Sequence, residues 1–596
     1  MADNEPQKGI FGSIADFKDI PSGVVKDIAD RMGCDYIVAT LLASRGTQTE
    51  EEADAFLTPN IKSQLPDPFT ALMDMQDAVR RVQEAISKKQ KIAIFGDYDV
   101  DGACSSAILK RYFKAIGTEA LIYIPDRFKE GYGPNSNALI ELRRQGYDLV
   151  ITVDCGTVAF EPLEAAHKHG LDIIVIDHHL GVKQKPKSIA VINPNRFDET
   201  SELTYLCGAG VVFMLVVALN RSLREAGFFT INKLKEPNLI NLTDLVALAT
   251  VCDVVPLVGL NRAFVKTGLK IANQKANIGI KTLCDVAGME GVLTEYHFGF
   301  VIGPRINAGG RIANSALGAE LLSTADEVRA VQIASELEGL NKKRKEEEEC
   351  VRLHALDMVH KHNLHASPVI FVGDEGYHQG VIGITASRIK EVFNKPVFVM
   401  SFKDGLAKAS CRSVKGVDIG SIINEANKKG LLIAGGGHGM AAGYTCELLH
   451  LSEFKKFVID CFNQAYPDFT FCKFTEIDAK ISLSAINEDF FDKINLFSPF
   501  GSGNGEPVFF TSGLELLKLD KIGGDKTHAA LVLKCSLGGG VIRSVIFSYA
   551  QKLQGSGFNI EDLKGKKLSI AYKIKANDFY GTRKIEADIL DIYIDN

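Results

Sequence analysis

No long hydrophobic run, no closely spaced cysteine pair and no large excess of one charge sign occurs in this chain of 596 residues. Each shortfall removes a class of protein. The longest strongly apolar stretch, Leu206–Leu219 (LCGAGVVFMLVVAL), has fourteen residues, short of the ~20 that span a bilayer. It is expected to be a buried core helix, and no membrane partner is expected. Of the twelve cysteines, the nearest two, Cys461 and Cys472, stand eleven apart, so no CxxC pair exists for a zinc or redox site. They are expected as reduced, mostly buried thiols. The 68 basic residues against 74 acids leave a net charge of −6, which gives no global sign of nucleic acid. Any polyanion site is therefore local, or recruits its positive charge from metal ions. The opening residues MADNEPQKG carry acids and no hydrophobic region, unlike a signal peptide, and the expected compartment is the cytoplasm.

What is present is an ordinary globular balance, 46% apolar and 24% charged, which excludes a largely disordered or fibrous chain. At roughly 150 residues per domain the length implies about four domains. Residues 1–85 are read as a helical lead-in layered on the next domain, from segments such as DIPSGVVKDIADRM and MDMQDAVRRVQEAISKK with caps and helical apolar spacing. From Lys91 the period changes. KIAIFGD, ALIYIPD, DLVITVD, DIIVIDHH and LVALATVCD alternate with helix-length segments, the pattern of βαβ units and a mainly parallel sheet covered on both faces. This α/β domain is placed at 86–324. Residues 325–364 read as a solvated connecting helix whose KKRKEEEE run sets each base four before an acid. A second α/β domain is placed at 365–470. Short alternating runs with frequent glycine mark 471–596 as a small, OB-like β-barrel. The expected fold is thus two α/β domains joined by a long helix, with a C-terminal barrel.

The chemistry gathers where apolar runs end. Ligands bind beyond the carboxyl ends of the strands in open α/β sheets. KIAIFG is followed by Asp97, Asp99 and Asp101, DLVITV by Asp154, DIIVI by Asp177, His178 and His179, and LVALATVC by Asp253. An aspartate after a strand is usually a helix cap. Four strand ends carrying DxDxDG, DCG, DHH and CDVVP together are hard to obtain by chance. A set of carboxylates with one or two imidazoles suits two cations such as Mn²⁺ or Mg²⁺ and makes a poor structural zinc site. Two such cations can activate water and stabilise an in-line phosphoryl displacement.

FGDYDVDGACSS, VDCG, IDHH and ATVCDVVPL resemble the four motifs of the DHH phosphoesterase family. GPRINAGGRI, DEGYHQGVIGITASRIKE, SCRSVKG, GGGHGMAAG and LFSPFGSGNGEPVF resemble, more closely, its branch of bacterial single-strand-specific DNA exonucleases, from about Leu41 onward. Tyr377 stands where that branch usually has tryptophan, and Gly439 and Gly505 fall in variable slots. The resemblance implies Asp101, Asp154, His178 and Asp253 around one cation. It implies Asp99, Asp154 and Asp97 around the other, with Asp154 bridging and His179 adjacent, contacting phosphate or positioning a ligand. Phe95 occupies the place where smaller DHH relatives have a metal-binding histidine, and Asp97 takes over that duty.

Arginines Arg305 and Arg311 lie six apart in the glycine-permissive loop GPRINAGGR, which also holds Asn307, and guanidinium groups match phosphate oxygens bidentately. Arg412 and Ser413 in ASCRS, and His438 in AGGGHGMAAG, sit where glycines expose backbone N–H groups. The alternative for the glycine run is a tight structural turn. In the barrel, residues 541–586 carry nine bases against four acids, interleaved with Phe547, Tyr549, Tyr572, Phe579 and Tyr580. Bases and aromatics on a small barrel suit single-strand binding, unless the aromatics fill the core. The resemblance implies a monomeric exonuclease degrading single-stranded DNA from its 5′ end to 5′-mononucleotides, in DNA repair and recombination, beside a helicase and a single-strand-binding protein. Two other readings stay open: a DHH phosphodiesterase acting on short oligonucleotides or cyclic dinucleotides, and a non-catalytic single-strand-binding replication scaffold.

Overall fold

The computed structural model describes residues 8–126, 130–536, 540–553, 557–579 and 582–595. They form two compact units, one of residues 66–253 and 268–471, the other of the N-terminal residues through Leu65 with 254–267 and the residues from Cys472. Among the described residues no helix is long and apolar enough to cross a membrane. All twelve cysteines are free, with Cys350 and Cys472 exposed.

In the first unit, five strands pair in parallel in the order Ala120–Tyr123, Lys91–Gly96, Tyr147–Val153, Asp172–Ile176 and Ala190–Ile192. Their uninterrupted apolar runs are buried on both faces, as parallel sheets require. The chain steps from Lys91–Gly96 to one side and returns on the other beside Tyr147–Val153, which creates a topological switch point between those two strands. The run Leu206–Leu219 lies, as expected, largely in a buried helix, Gly208–Glu225. LVALATVC departs from expectation. It forms the helix Thr243–Cys252, buried at every position from Thr243 to Thr250, and packs against the helices Val100–Ala115 and Gly208–Glu225. A short apolar run reads equally as a buried strand or as a helix buried all round, and packing between helices decided it.

The helix Glu327–Lys361, 35 residues long and capped by Asp326, leads to a second sheet. Its strand order is Ala434–His438, Ala441–Glu447, Leu406–Arg412, Val397–Lys403 and Ile370–Asp374, with only the last pair parallel. The glycine run is therefore the first strand of a hairpin. GPRINAGGR also differs from the loop expected of it, being the helix Gly303–Ile312. Its glycines allow close packing, for a β-carbon at Gly310 would lie 2.8 Å from the Tyr98 carbonyl oxygen. Helix propensity lost at glycine is offset by that contact.

In the second unit, strands Phe509–Ile522, His528–Cys535, Val541–Ile546, Thr582–Ile594 and Lys567–Phe579 close into a five-stranded barrel, the last pairing back onto the first. The lead-in divides. Helix Met75–Ser87 is a layer on the parallel-sheet domain, against strand Ala190–Ile192. Residues through Leu65 join the barrel instead: Ser13–Phe17 pairs with Lys473–Ile477, and Val25, Ile28, Leu41 and Leu42 share one apolar core with Phe497, Phe509, Leu531 and Ile589. Amphipathic helices state that they need a partner surface without stating which one. Arg262, fully buried, locks this unit. Its guanidinium donates to the carbonyls of Phe56, Phe497, Ser498 and Pro499 and lies 3.9 Å from the centroid of the Phe56 ring. Arg262→Met leaves those carbonyls without that donor, so it is expected to cost about 3 kcal/mol or more, read as a lowered urea midpoint of this unit.

Candidate metal centre

Register builds the site. Gly96, Val153 and Ile176 end neighbouring strands side by side, and the ladder runs one residue further: Asp97 N donates to Val153 O at 3.3 Å, Asp154 N to Ile176 O at 2.9 Å and Asp177 N to Ile192 O at 3.1 Å. Three aspartates thus stand in a row along the carboxyl edge. Strand spacing of about 4.8 Å brings their carboxylates within reach of common ligands. Asp154 holds φ at 60° and Val254, just after Asp253, at 59°. The left-handed region is uncommon for aspartate and strained for a β-branched residue, and such strain gathers at functional sites.

The next elements add ligands from their ends. Asp99 caps the helix Val100–Ala115, accepting from Gly102 N at 3.1 Å. A β-carbon at Gly102 would run into the Asp97 backbone, so glycine allows this turn to close. Asp101, in the first turn, accepts from Gly208 N at 2.6 Å and Ala209 N at 2.7 Å, the free amides of a second helix start. Asp253 arrives as the C-cap of Thr243–Cys252, at a helix end and not at the strand end expected for it. His178 Nε2 lies 3.2 Å from Asp154 Oδ1, 3.6 Å from Asp253 Oδ2 and 3.7 Å from Asp101 Oδ2.

Three sets of ligand atoms result, each within 4.8 Å: Asp97, Asp99 and Asp154; Asp101, His178 and Asp253; Asp154, His178 and His179. Asp154 and His178 each belong to two. Burial, followed by the charges of neighbouring aspartates, pushes Asp154 above the usual carboxylate range and Asp253 up to about 9, and burial lifts Asp101 as well, against the opposing pull of His178. The buried Asp154 Oδ1 and Asp253 Oδ2 accept no hydrogen bond, although His178 Nε2 stands near both. Crowded carboxylates with buried oxygens that no protein donor satisfies, at most two imidazoles and no thiolate in any set make a donor set for hard divalent cations. The residues fit such ions.

His179 is held differently. Its Nδ1 is 2.7 Å from Asp177 Oδ1, and its Nε2 faces the Tyr132 hydroxyl at 3.3 Å. Burial disfavours its charge, but the Asp177 hydrogen bond and carboxylate outweigh this and raise it to about 9. Phe95 is buried and stacks on Tyr123.

The anion-binding candidates separate into two groups. Arg311 follows Gly310 at the Tyr98 backbone, and its Nη1 donates to Gly380 O at 3.0 Å. Arg412 Nη2 would lie 3.3 Å from a β-carbon at Gly383, in the first turn of the helix Ile382–Phe393, so the two arginines meet the start of that helix and the residues just before it. His438 is exposed at its hairpin and Asn307 is half-buried on its helix. Arg305 and Ser413 are committed inward. The Arg305 guanidinium pairs with Glu338 and donates to Val301 O, and Ser413 Oγ donates to Val417 O at 2.6 Å.

On the barrel, two acids outside the 541–586 window offset part of its positive charge. Lys573 and Lys575 pair with Glu506 and Arg583 with Asp492, while Arg543 pairs with Glu586 inside it. Tyr549 and Tyr572 are core residues. Phe547 is 52% exposed beside His528. Tyr580 and the Phe579 side chain lie outside the described residues.

Three family domains match the chain in order: the DHH family N-terminal domain over residues 91–250, the DHHA1 domain over 363–464 and the RecJ OB domain over 477–591. The single-stranded-DNA-specific exonuclease RecJ of Bacillus subtilis is 30% identical over 575 residues, 95% of this chain and 69% of that protein. Its counterpart in Dickeya dadantii is 32% identical over 564 residues, 92% of this chain and 94% of that protein. The crystal structure of RecJ from Thermus thermophilus in complex with Mn²⁺ matches with a TM-score of 0.80 at 26% identity, covering 97% of this chain and 79% of that one. A second, in complex with Mg²⁺, matches with a TM-score of 0.72 at 25% identity, over 97% and 78%. By identity and coverage, by the order of its domains and by the ligand sets at its sheet edge, this chain belongs to the RecJ family of single-stranded-DNA-specific exonucleases within the DHH phosphoesterases.

Proposed function

We propose that the protein hydrolyses single-stranded DNA from the 5′ end by a two-metal mechanism, releasing 5′-mononucleotides during DNA repair and recombination. The observation that carries this reading is the pair of ligand sets, Asp97/Asp99/Asp154 and Asp101/His178/Asp253, with Asp154 reaching into both sides of the cluster. Asp101, His178 and Asp253 with Asp154 would hold one Mn²⁺ or Mg²⁺, and Asp97, Asp99 and Asp154 the other. Bound there, two cations supply an activated water and neutralise charge on the phosphate. His179, whose Nε2 meets the Tyr132 hydroxyl, would hydrogen-bond a phosphate oxygen as an imidazolium beside the cation sites. Arg311 and Arg412, at the start of the helix Ile382–Phe393, and His438 would hold the terminal phosphate and so set polarity. Arg305 acts from behind, fixing the helix that carries Arg311 through Glu338. Discrimination against duplex is steric: arginines that grip the phosphates of one backbone leave no place for a second strand. The protein acts as a monomer on strands opened by a helicase and covered by a single-strand-binding protein.

Activity on end-labelled single strand, blunt duplex and dinucleotide with Mn²⁺ tests the reading. Single strand is expected to be shortened from its 5′ end, and equal degradation of blunt duplex without a helicase would overturn it. Asp154→Asn removes the charge common to both cation sites, so turnover is expected to fall by at least about 10³-fold while the far-ultraviolet dichroism stays native. Phe547→Ala removes an exposed ring suited to base stacking, worth about 1–3 kcal/mol per base. Affinity for a long single strand, read by fluorescence anisotropy, is expected to drop roughly tenfold. The slope of log affinity against log salt should stay the same, because no charge is lost.

A further inference from the structure

The turn that carries His178 and His179 has no regular secondary structure, yet it has to hold one imidazole within reach of three carboxylates. Two asparagines of the following segment, Asn193 and Asn195, close on it. Asn195 Nδ2 donates to the His178 carbonyl at 2.7 Å and to the Thr204 carbonyl at 3.1 Å. Asn193 Nδ2 donates to the His179 carbonyl and to Thr157 Oγ1, each at 2.8 Å. Asn193 Oδ1 accepts from Asn195 N at 2.7 Å, a group that can only donate, so the amide orientation is determined by its surroundings.

The network closes on the other side of the turn. Asp177 Oδ1 accepts from His178 N at 2.8 Å and His179 N at 3.2 Å, and Asp177 Oδ2 from Thr157 N at 3.0 Å. Both carbonyls and both amides of the dipeptide are thereby held by side chains that follow two neighbouring strands, Asp172–Ile176 and Ala190–Ile192, with Thr157 joining the two sides. Asn193 and Thr157 are 0% and 3% exposed. The segment is itself anchored, because Arg196 pairs with Asp74 at 2.9 Å and Asp198 at 2.6 Å.

We infer that Asn193 and Asn195, with Thr157 between them and Asp177, are positioning residues that set the His178 and His179 backbone and thereby the affinity of the centre for its cations. This rests on the metal reading proposed above. Partners of metal ligands commonly alter affinity or activity by about 10- to 100-fold when lost. The exchange Asn195→Asp is isosteric but turns a two-carbonyl donor into an acceptor, which pushes the His178 carbonyl away.

Mn²⁺ affinity measured by the electron paramagnetic resonance signal of the free ion, on the full chain without DNA, tests this separately from catalysis. Wild-type protein that binds no Mn²⁺ would overturn the metal reading and this inference with it. Given wild-type binding, Asn195→Asp is expected to raise the Kd for Mn²⁺ about 10- to 100-fold, and Thr157→Val about tenfold. Thr157→Ser, which keeps the hydroxyl, should stay within about twofold of wild type. A folded Asn195→Asp with unchanged Kd and only a lowered Tm would make the asparagine merely structural and overturn the inference. Should Asn195→Asp not fold, the Thr157 pair decides: equal Kd for Val and Ser overturns the inference, and loss with Val alone supports it.

Discussion

Five aspartates crowded at one end of a parallel sheet repel one another, and that repulsion is the constraint around which the first unit is arranged. At about 4 Å, two like charges cost roughly 4 kcal/mol at the effective dielectric of a protein surface, and more when buried. Burial and neighbouring charges lift Asp101, Asp154 and Asp253 above the ordinary carboxylate range. The fold offsets part of this with N–H dipoles, two from the helix start at Gly208 and Ala209 onto Asp101. The remainder calls for cations.

The same constraint accounts for irregular backbone nearby. Left-handed Asp154 and Val254 and the close approach at Gly102 bring ligands together from strand ends, a helix start and a helix C-cap. A regular sheet edge offers one aspartate per strand in a line. Converging ligand sets need some aimed from a second direction, which the helices Val100–Ala115 and Thr243–Cys252 provide. The rigid elements set the positions, and the turn bearing His178 and His179 depends on side-chain hydrogen bonds to take its place among them.

The barrel solves a different problem. Glu506, Asp492 and Glu586 pair with Lys573, Lys575, Arg583 and Arg543, four of the nine bases in 541–586, and exposed rings such as Phe547 stand beside the others. Bases interleaved with exposed rings suit backbone attraction together with base stacking.

Much of the metal centre was legible from residues alone, because apolar runs ending in DxDxDG, DCG and DHH state both a strand and what lies beyond its carboxyl end. The parallel sheet, the buried helix within Leu206–Leu219 and the closed barrel follow from patterns a few residues long. Other features had no local signature. Whether LVALATVC was strand or helix turned on the helices against which it packs. Arg305 looked free to bind phosphate until Glu338, on the connecting helix, took its guanidinium. The early helices chose the barrel over the sheet domain, and the roles of Asn193 and Asn195 exist only where the chain folds back on the His178 carbonyl. The amino-acid sequence by itself determined which groups bear charge and which local conformations they favour. Only the tertiary structure decided which of them meet, because hydrogen bonds and ion pairs form between residues brought together by burial of apolar surface, at separations along the chain that no local pattern encodes.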